Sequence, residues 1–384
     1  MPWKQVRPMD EKIRFIYDYL NHVFTFTELC DRYQISRKTG YKWVHRYEED
    51  GAAGLEDRAR SPRRSPHKVS PEIEEAILTV RRQHPGWGAK KILAMLERQR
   101  QAGPLPHRAT VATILKRHGC VKSPRKRVHR AHPGKPDTEP TRPNQLWSAD
   151  FKGQFKLGNG QYCYPLTVMD SASRYVLSVL ALPSTALEAT QREFRRLFRR
   201  YGLPERIRSD NGTPFASIAL GRLSTLSIWW IRLGIVPELT EPGHPQQNGR
   251  HERMHRTLKA AATRPPEADM TAQQQRFDAF RQEFNEVRPH EALQQATPTS
   301  QYTPSEKKVP KRLKKSLDYP PHYEVRIVST NSGIRWKSRW VSVTRLLAGL
   351  PIGLEAVDAD QWDVWFGPIW LGRLDERLWR IVDA

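Results

Sequence analysis

Apolar residues recur at helical spacing through the first 120 residues, alternate in strand-like fashion from about 145 to 185, and do so again after 320, with polar basic stretches between. In "MDEKIRFIYDYL", Ile13, Ile16, Tyr17 and Leu20 share one side of a predicted helix. "TFTELCDRYQISRKTGYKWVHRYEEDG" then predicts two more helices in helix-turn-helix form. Thr27 is the expected cap, Leu29, Cys30 and Tyr33 point inward, Ile35 plugs the turn, and Ser36 caps a helix exposing Arg37, Lys38, Lys42 and Arg46. That basic face suits the DNA major groove; a small bundle with a solvated basic face is the plainer alternative. After "RARSPRRSP" a second helical unit runs from Pro71 to Gly119. "WGAKKILAMLERQ" and "HRATVATILKRHG" repeat the pattern, with Arg108 and Lys116 as its basic positions.

At Gln145 the period changes. "LWSADFKGQFKL" and "QYCYPLTVMDSASRYVLSVLAL" predict three antiparallel strands, turned at "GNG" and at Asp170 to Ser173. "ALEATQREFRRLFRRYG" is an amphipathic helix, "ERIRSD" a strand, "LSTLSIWWIRLG" a helix and "IVPEL" a strand. "HPQQNGRHERMHRTLK" and "AQQQRFDAFRQEFNEV" follow as helices. The expectation is a mixed five-stranded sheet with helices on both faces. After "KKVPKRLKK", short aromatic-rich strands predict a small β barrel. The fold class is therefore multidomain: all-α units, an α/β core and a barrel. The expected boundaries are 1–57 and 68–120 for the two helix-turn-helix domains, 121–143 for a basic linker, 144–304 for the core, 305–320 for a second basic linker and 321–384 for the barrel.

Charge sharpens this picture. Sixty-four Lys and Arg against 41 Asp and Glu give a formal net charge of +23, with 12 Trp and 12 Tyr, so a folded protein with a polyanionic partner is expected. The excess lies mainly in residues 1–150 and 301–350, while the last 34 residues are net acidic. Cys30, Cys120 and Cys163 are far apart and odd in number, which argues against a disulfide framework or a Cys-rich zinc site and for a reducing cytoplasm. No apolar signal region or membrane-length segment stands out, so a cytoplasmic, DNA-associated protein is expected.

Three acids carry candidate chemistry. Asp150 lies inside a predicted strand, where a charge is costly unless paired or metal-bound. Asp210 ends a later strand before Asn211 and Gly212, which permit a sharp turn. Glu252 sits one turn into a helix whose Asn248, Arg256 and Lys259 share its face as expected phosphate contacts. An ordinary surface ion pair of Glu252 with Arg256 is the alternative. Asp170 is expected to serve its turn, not a metal. His244, His251 and His255 are expected to be solvated phosphate contacts, with general bases or metal ligands as the alternative, and Trp229, Trp230, Trp336, Trp340, Trp362, Trp365 and Trp370 core residues, with base-stacking platforms as the alternative.

In "LWSADF", "SDNGTPF", "NGRHERMHRTLK", "FNEVRPHEAL" and "TPTSQY", in that order, residues 144–302 resemble the DDE transposases and retroviral integrases, and the flanking modules resemble those of bacterial insertion-sequence transposases. The resemblance implies a ribonuclease-H-like core with Asp150, Asp210 and Glu252 as catalytic and metal-holding triad. It further implies two Mg²⁺ ions, with Mn²⁺ able to substitute, acting in phosphodiester cleavage and strand transfer. Double-stranded DNA, both element ends and target, is the implied partner, and concerted joining of two ends implies at least a dimer. A catalytically inactive DNA-binding protein or a nuclease without strand transfer are the alternatives. Two departures are visible. The stretch from Asp210 to Glu252 is longer than in many relatives, with the surplus assigned to "SIALGRLSTLSIWWIRLG", and the amino-terminal His/His/Cys/Cys zinc module of retroviral integrases has no match.

Overall fold

The computed structural model describes residues 8–57, 69–100, 103–121, 138–241, 245–313, 317–358 and 360–382. The chain divides into two compact units, Met1–Val69 and Ser70–Ala384. The tether "KSPRKRVHR", His244 and the last residues of "KKVPKRLKK" lie outside the described residues.

The first unit packs α1 (Pro8–Leu20), α2 (Phe26–Arg32) and α3 (Arg37–Asp50) around Phe15, Ile16, Leu29, Cys30, Val44 and Leu55. Of the predicted α1 stripe only Ile16 is buried. Ile13, Tyr17 and Leu20 are exposed, because α1 turns Phe15 and Ile16 to the core. Thr25, not Thr27, precedes α2: the carboxylate of Glu28 accepts from the Thr25 N–H at 3.0 Å and from its hydroxyl at 2.7 Å, whereas Thr27 lies within the helix. Ser36 caps α3 as expected, accepting from the Thr39 N–H at 3.2 Å. The close approach of α2 and α3 depends on Gly40, where a Cβ would lie 2.8 Å from Cys30 Sγ.

The second unit opens with α4 (Pro71–Gln83), α5 (Ala89–Arg98) and α6 (Arg108–Arg117). These helices dock on the far end of the same unit: His84 Nδ1 lies 3.1 Å from Glu283 Oε1, Lys90 pairs with Glu291, and Arg98 donates to the carbonyl of Val287 at 3.3 Å and to that of Gln295.

The central sheet contains β1 (Leu146–Phe151), β2 (Phe155–Lys156), β3 (Tyr162–Asp170), β4 (Val176–Leu182), β5 (Arg206–Ser209) and β6 (Val236–Leu239). It has six strands where five were expected, because the two-residue β2 pairs with the start of β3. β1, β3 and β4 pair antiparallel, and β5 and β6 extend the sheet from β1 in parallel. Alternation along β1 sends Trp147 and Ala149 into one core layer. There they meet α7 (Leu187–Tyr201) and α8 (Thr225–Arg232) through Phe194, Phe198 and Trp230. Ser148 and Asp150 point to the opposite face. On that face α9 (Gly249–Ala262) and α10 (Met270–Gln282) bury Met254, Leu258, Phe277 and Phe280 against Met169, Val176 and Val179. A short helix α11 (Pro298–Gln301) and Tyr302, stacked on Tyr175, close this region.

The last strands are β7 (Glu324–Ile327), β8 (Gly333–Trp336), β9 (Arg339–Ser342), β10 (Pro351–Asp358), β11 (Gln361–Phe366), β12 (Ile369–Asp375) and β13 (Arg380–Val382). They do not close into the expected barrel. Among the described residues they form an open five-stranded sheet, β13-β12-β11-β10-β7, and a separate β8-β9 hairpin, which share one apolar core. Trp336 is buried there, but Trp340 is 49 % exposed, contrary to expectation. The surplus segment between Asp210 and Glu252 has a structural use: Leu223, Ile228 and Ile231 join this same core, and Gly221 lies against Trp370 and Leu371. The segment before β7 is less free than a tether, since the Leu203 N–H donates to the Lys307 carbonyl at 2.7 Å and Lys307 Nζ to the Gly234 carbonyl at 2.7 Å.

Candidate active site

Strand register brings the first two acids together. Ala149 of β1 is the parallel partner of Ser209 of β5, so the next residues are neighbours, Asp150 still within β1 and Asp210 just past the end of β5. Beyond β5 the chain turns: the Gly212 N–H donates to Asp210 Oδ1 at 3.2 Å and Asn211 Nδ2 to the Thr240 carbonyl at 2.6 Å. The third acid arrives on α9. His251, Met254, His255, Leu258 and Ala262 recur at helical spacing and face the sheet, which leaves Glu252 exposed beside it.

The three acids share one electrostatic environment. Burial pushes the Asp150 carboxyl up to about 7, and the charges of Asp210 and Glu252 add to that shift while Lys152 opposes it. Burial also raises Asp210, offset by the Gly212 N–H. Among the described residues none of the three pairs with a Lys or Arg, and the alternative Glu252–Arg256 ion pair is not formed. Crowded acids without cationic partners, offering only oxygen donors, fit a hard divalent cation.

Behind Asp150 lies a polar cluster that corrects the sequence expectation. His251 is fully buried and His255 is 6 % exposed, so neither is a solvated phosphate contact. Burial lowers both imidazoles, His251 to about 3, and both are neutral; the 3.6 Å approach of His255 Nδ1 to Asp150 Oδ2 is therefore not an ion pair. Their partners, Ser148 and Thr167, escaped sequence reading. The available signal was a hydroxyl residue inside each of two apolar strands, opposite histidines four apart on a helix. Asp170 serves its turn as expected: it accepts from the Asn144 N–H at 2.7 Å, the Ser173 N–H at 2.8 Å and the Ser173 hydroxyl at 2.6 Å.

Of the expected DNA contacts, Arg37, Lys38 and Lys42 on α3, Arg108 and Lys116 on α6, and Lys259 on α9 are exposed. Arg46 is half-buried, lying over the Trp43 ring. Arg256 lines a cleft between α9 and the α4–α5 turn with His84 and Trp87. Asn248 is 9 % exposed just before α9, which corrects its expected place on the open face with Glu252.

Comparison with known proteins finds helix-turn-helix and integrase-core relatives. Residues 11–63 match a helix-turn-helix domain, 39–115 a homeodomain-like domain, and 140–245 and 233–298 an integrase core domain. An insertion element IS407 uncharacterized 31.7 kDa protein of Burkholderia multivorans is 25 % identical over 240 residues, covering 61 % of this chain and 83 % of that protein. The Pol polyprotein of Feline endogenous virus ECE1 is 34 % identical over 128 residues, covering 33 % of this chain and 12 % of the polyprotein. Among solved structures, a simian T-cell lymphotropic virus intasome chain, in complex with PP2A regulatory subunit B56 gamma, covers 69 % of this chain and 90 % of its own, at 17 % identity and TM-score 0.38. The HTLV-2 integrase catalytic core domain in complex with magnesium covers 42 % of this chain and 97 % of its own, at 17 % identity and TM-score 0.34. Helix-turn-helix domains ahead of an integrase core define a class of DNA-recombining proteins. The integrase core and helix-turn-helix matches, with the insertion-element relative, support an insertion-sequence transposase of the retroviral-integrase-like superfamily.

Proposed function

We propose that this chain is a DNA transposase that binds the terminal inverted repeats of its mobile element, cleaves the ends and transfers the 3′ strands to target DNA. Asp150, Asp210 and Glu252 are its catalytic acids. The observation that carries this reading is their convergence: two acids on adjacent parallel strands and a third on a packed helix, with mutual repulsion that a cation would relieve. Two Mg²⁺ ions, with Mn²⁺ able to substitute, would activate the attacking oxygen and stabilise the leaving one in an in-line displacement at phosphorus. The residues themselves hold and orient. β1 and β5 fix two carboxylates, α9 brings the third, and Lys259 and Arg256 bind the DNA backbone.

The helical units at 1–57 and 68–120 recognise the ends through Arg37, Lys38, Lys42, Arg46, Arg108 and Lys116. The core spans 144–304 and the terminal strand module 321–384, joined by the segments 121–143 and 305–320. Concerted joining needs two triads, so the working species is at least a dimer on DNA, acting in the cytoplasm. The test is separation of binding from chemistry. Asp150→Asn, Asp210→Asn and Glu252→Gln should each abolish cleavage and joining of labelled ends in Mg²⁺ while retaining end binding. Wild-type cutting by Glu252→Gln would overturn the assignment, and cleavage without joining by the wild-type chain would favour a nuclease.

A further inference from the structure

Behind Asp150, two hydroxyls and four ring nitrogens form a hydrogen-bond set whose protons can be counted. Thr167 Oγ1 lies 2.9 Å from the main-chain carbonyl of Asp150, which can only accept, so the Thr167 proton is committed there. The oxygen then accepts from both rings, His251 Nε2 at 2.7 Å and His255 Nε2 at 2.7 Å. With its proton on Nε2, His251 uses Nδ1 to accept from the Ser148 hydroxyl at 2.6 Å, a closer partner for that proton than the Met169 carbonyl at 3.3 Å. Three of the four nitrogens are thereby satisfied. The fourth, His255 Nδ1, carries a lone pair and faces Asp150 Oδ2 at 3.6 Å. A nitrogen lone pair and a carboxylate oxygen repel each other at that range unless an electron-pair acceptor, a proton on the carboxyl or a metal cation, lies between them.

We propose that Asp150 Oδ2 and His255 Nδ1 form a paired bite for one borderline transition-metal cation, Mn²⁺, Co²⁺ or Zn²⁺, so that the cation site of this chain includes an imidazole nitrogen. Ligands held at about 2.0–2.2 Å from a metal lie roughly 3–3.5 Å apart, so closure needs a shift of only a few tenths of an ångström. His255 donates its other ring N–H to a fixed acceptor, Thr167, the arrangement that orients metal-binding imidazoles. His251 belongs to the same cluster, with ligand atoms of all three residues within 4.8 Å, but both of its nitrogens are engaged and it orients instead of ligating. Asp150 is 21 % exposed and the His255 side chain 7 %, so a cation reaches the bite from the carboxylate side. A nitrogen donor favours borderline cations over Mg²⁺, which takes oxygen ligands.

The inference rests on the proposed role of Asp150 as a cation-holding acid, and the test separates the two. The full wild-type chain is loaded with Mn²⁺ alone and its electron spin-echo envelope modulation recorded. Nitrogen-14 coupling of a directly bound imidazole is expected; a bound-Mn²⁺ spectrum without it overturns the nitrogen ligand. Calorimetric titration then compares wild type with His255→Gln. Co²⁺ affinity should fall by roughly tenfold or more and Mg²⁺ affinity by less than about twofold; equal effects on both ions, or none, overturn it. Should His255→Gln fail to fold, the wild-type spectrum decides alone. Mn²⁺ binding with unchanged stoichiometry and affinity in Asp150→Asn would instead overturn the role of Asp150 itself, and with it the bite.

Discussion

Replacing Arg208 by Met should be among the most destabilising single changes in the core. Arg208 is 5 % exposed in β5, two residues before Asp210. Its Nε donates to Glu238 Oε1 at 2.8 Å, and Nη2 meets the same oxygen. Nη1 donates to the Gln247 carbonyl at 3.2 Å and Nη2 to the Thr138 carbonyl at 2.8 Å. One guanidinium thus ties β5 to β6, to the start of the core and to the segment leading into α9. Met fills similar volume but strands Glu238, whose side chain is 11 % exposed and whose Oε2 already lacks a partner. Removing one partner of a buried ion pair costs about 3–5 kcal/mol. Removing both charges restores much of that loss, so Arg208→Met/Glu238→Leu should be more stable than Arg208→Met by about 1–3 kcal/mol. Denaturant unfolding followed by tryptophan fluorescence measures this, with the transition of the Ser70–Ala384 unit compared across the four proteins of the cycle. Arg208→Met should also lose end cleavage while retaining end binding, since Asp210 and α9 lose a common anchor. A cost below about 1 kcal/mol, or a double variant no more stable than the single, would refute the reasoning.

Further outcomes follow from local geometry. In chelator, the Asp150 carboxyl moves from 3.8 in the unfolded chain to about 7 in the fold, so the fold binds the proton more tightly. Its stabilising contribution is complete below about pH 4 and lost as pH rises through about 7. Asp150→Asn should therefore flatten the stability–pH profile and exceed wild type by on the order of 2–4 kcal/mol at pH 8.5; parallel profiles would contradict this. Ser36→Ala removes the cap of α3 and should cost about 1 kcal/mol in the melting of the first unit by circular dichroism, with loss of end preference only where that unit unfolds. Gly40→Ala places a methyl 2.8 Å from Cys30 Sγ and 3.0 Å from Phe26 Cζ and should cost about 1–3 kcal/mol; an unchanged midpoint would show that the helices give way freely.

Local pattern in the sequence determined much of this protein. The helical period marked both amino-terminal units, Ser36 marked the start of α3, and alternation marked β1, β3 and β4. Those signals survive because each depends on neighbours a few residues away. Asp150, Asp210 and Glu252 were singled out as the proposed triad for a different reason, chiefly the order of motifs that resembles a family, and not from any one local rule. What the tertiary structure decided depends on residues far apart in the chain. Thr25 rather than Thr27 begins α2 because of where Glu28 reaches. His251 and His255, which sit among bases in the sequence and so look solvated, are buried because α9 turns that face onto Ser148 and Thr167, some 80 to 100 residues earlier. The terminal strands have the composition of a barrel, but closure requires the edge strands to pair, and β7 and β13 remain at opposite edges of an open sheet. The burial that lifts Asp150, and the lone pair of His255 beside it, likewise exist only once β1, β3 and α9 are packed, because desolvation and donor counting are properties of the assembled surroundings and not of the segment.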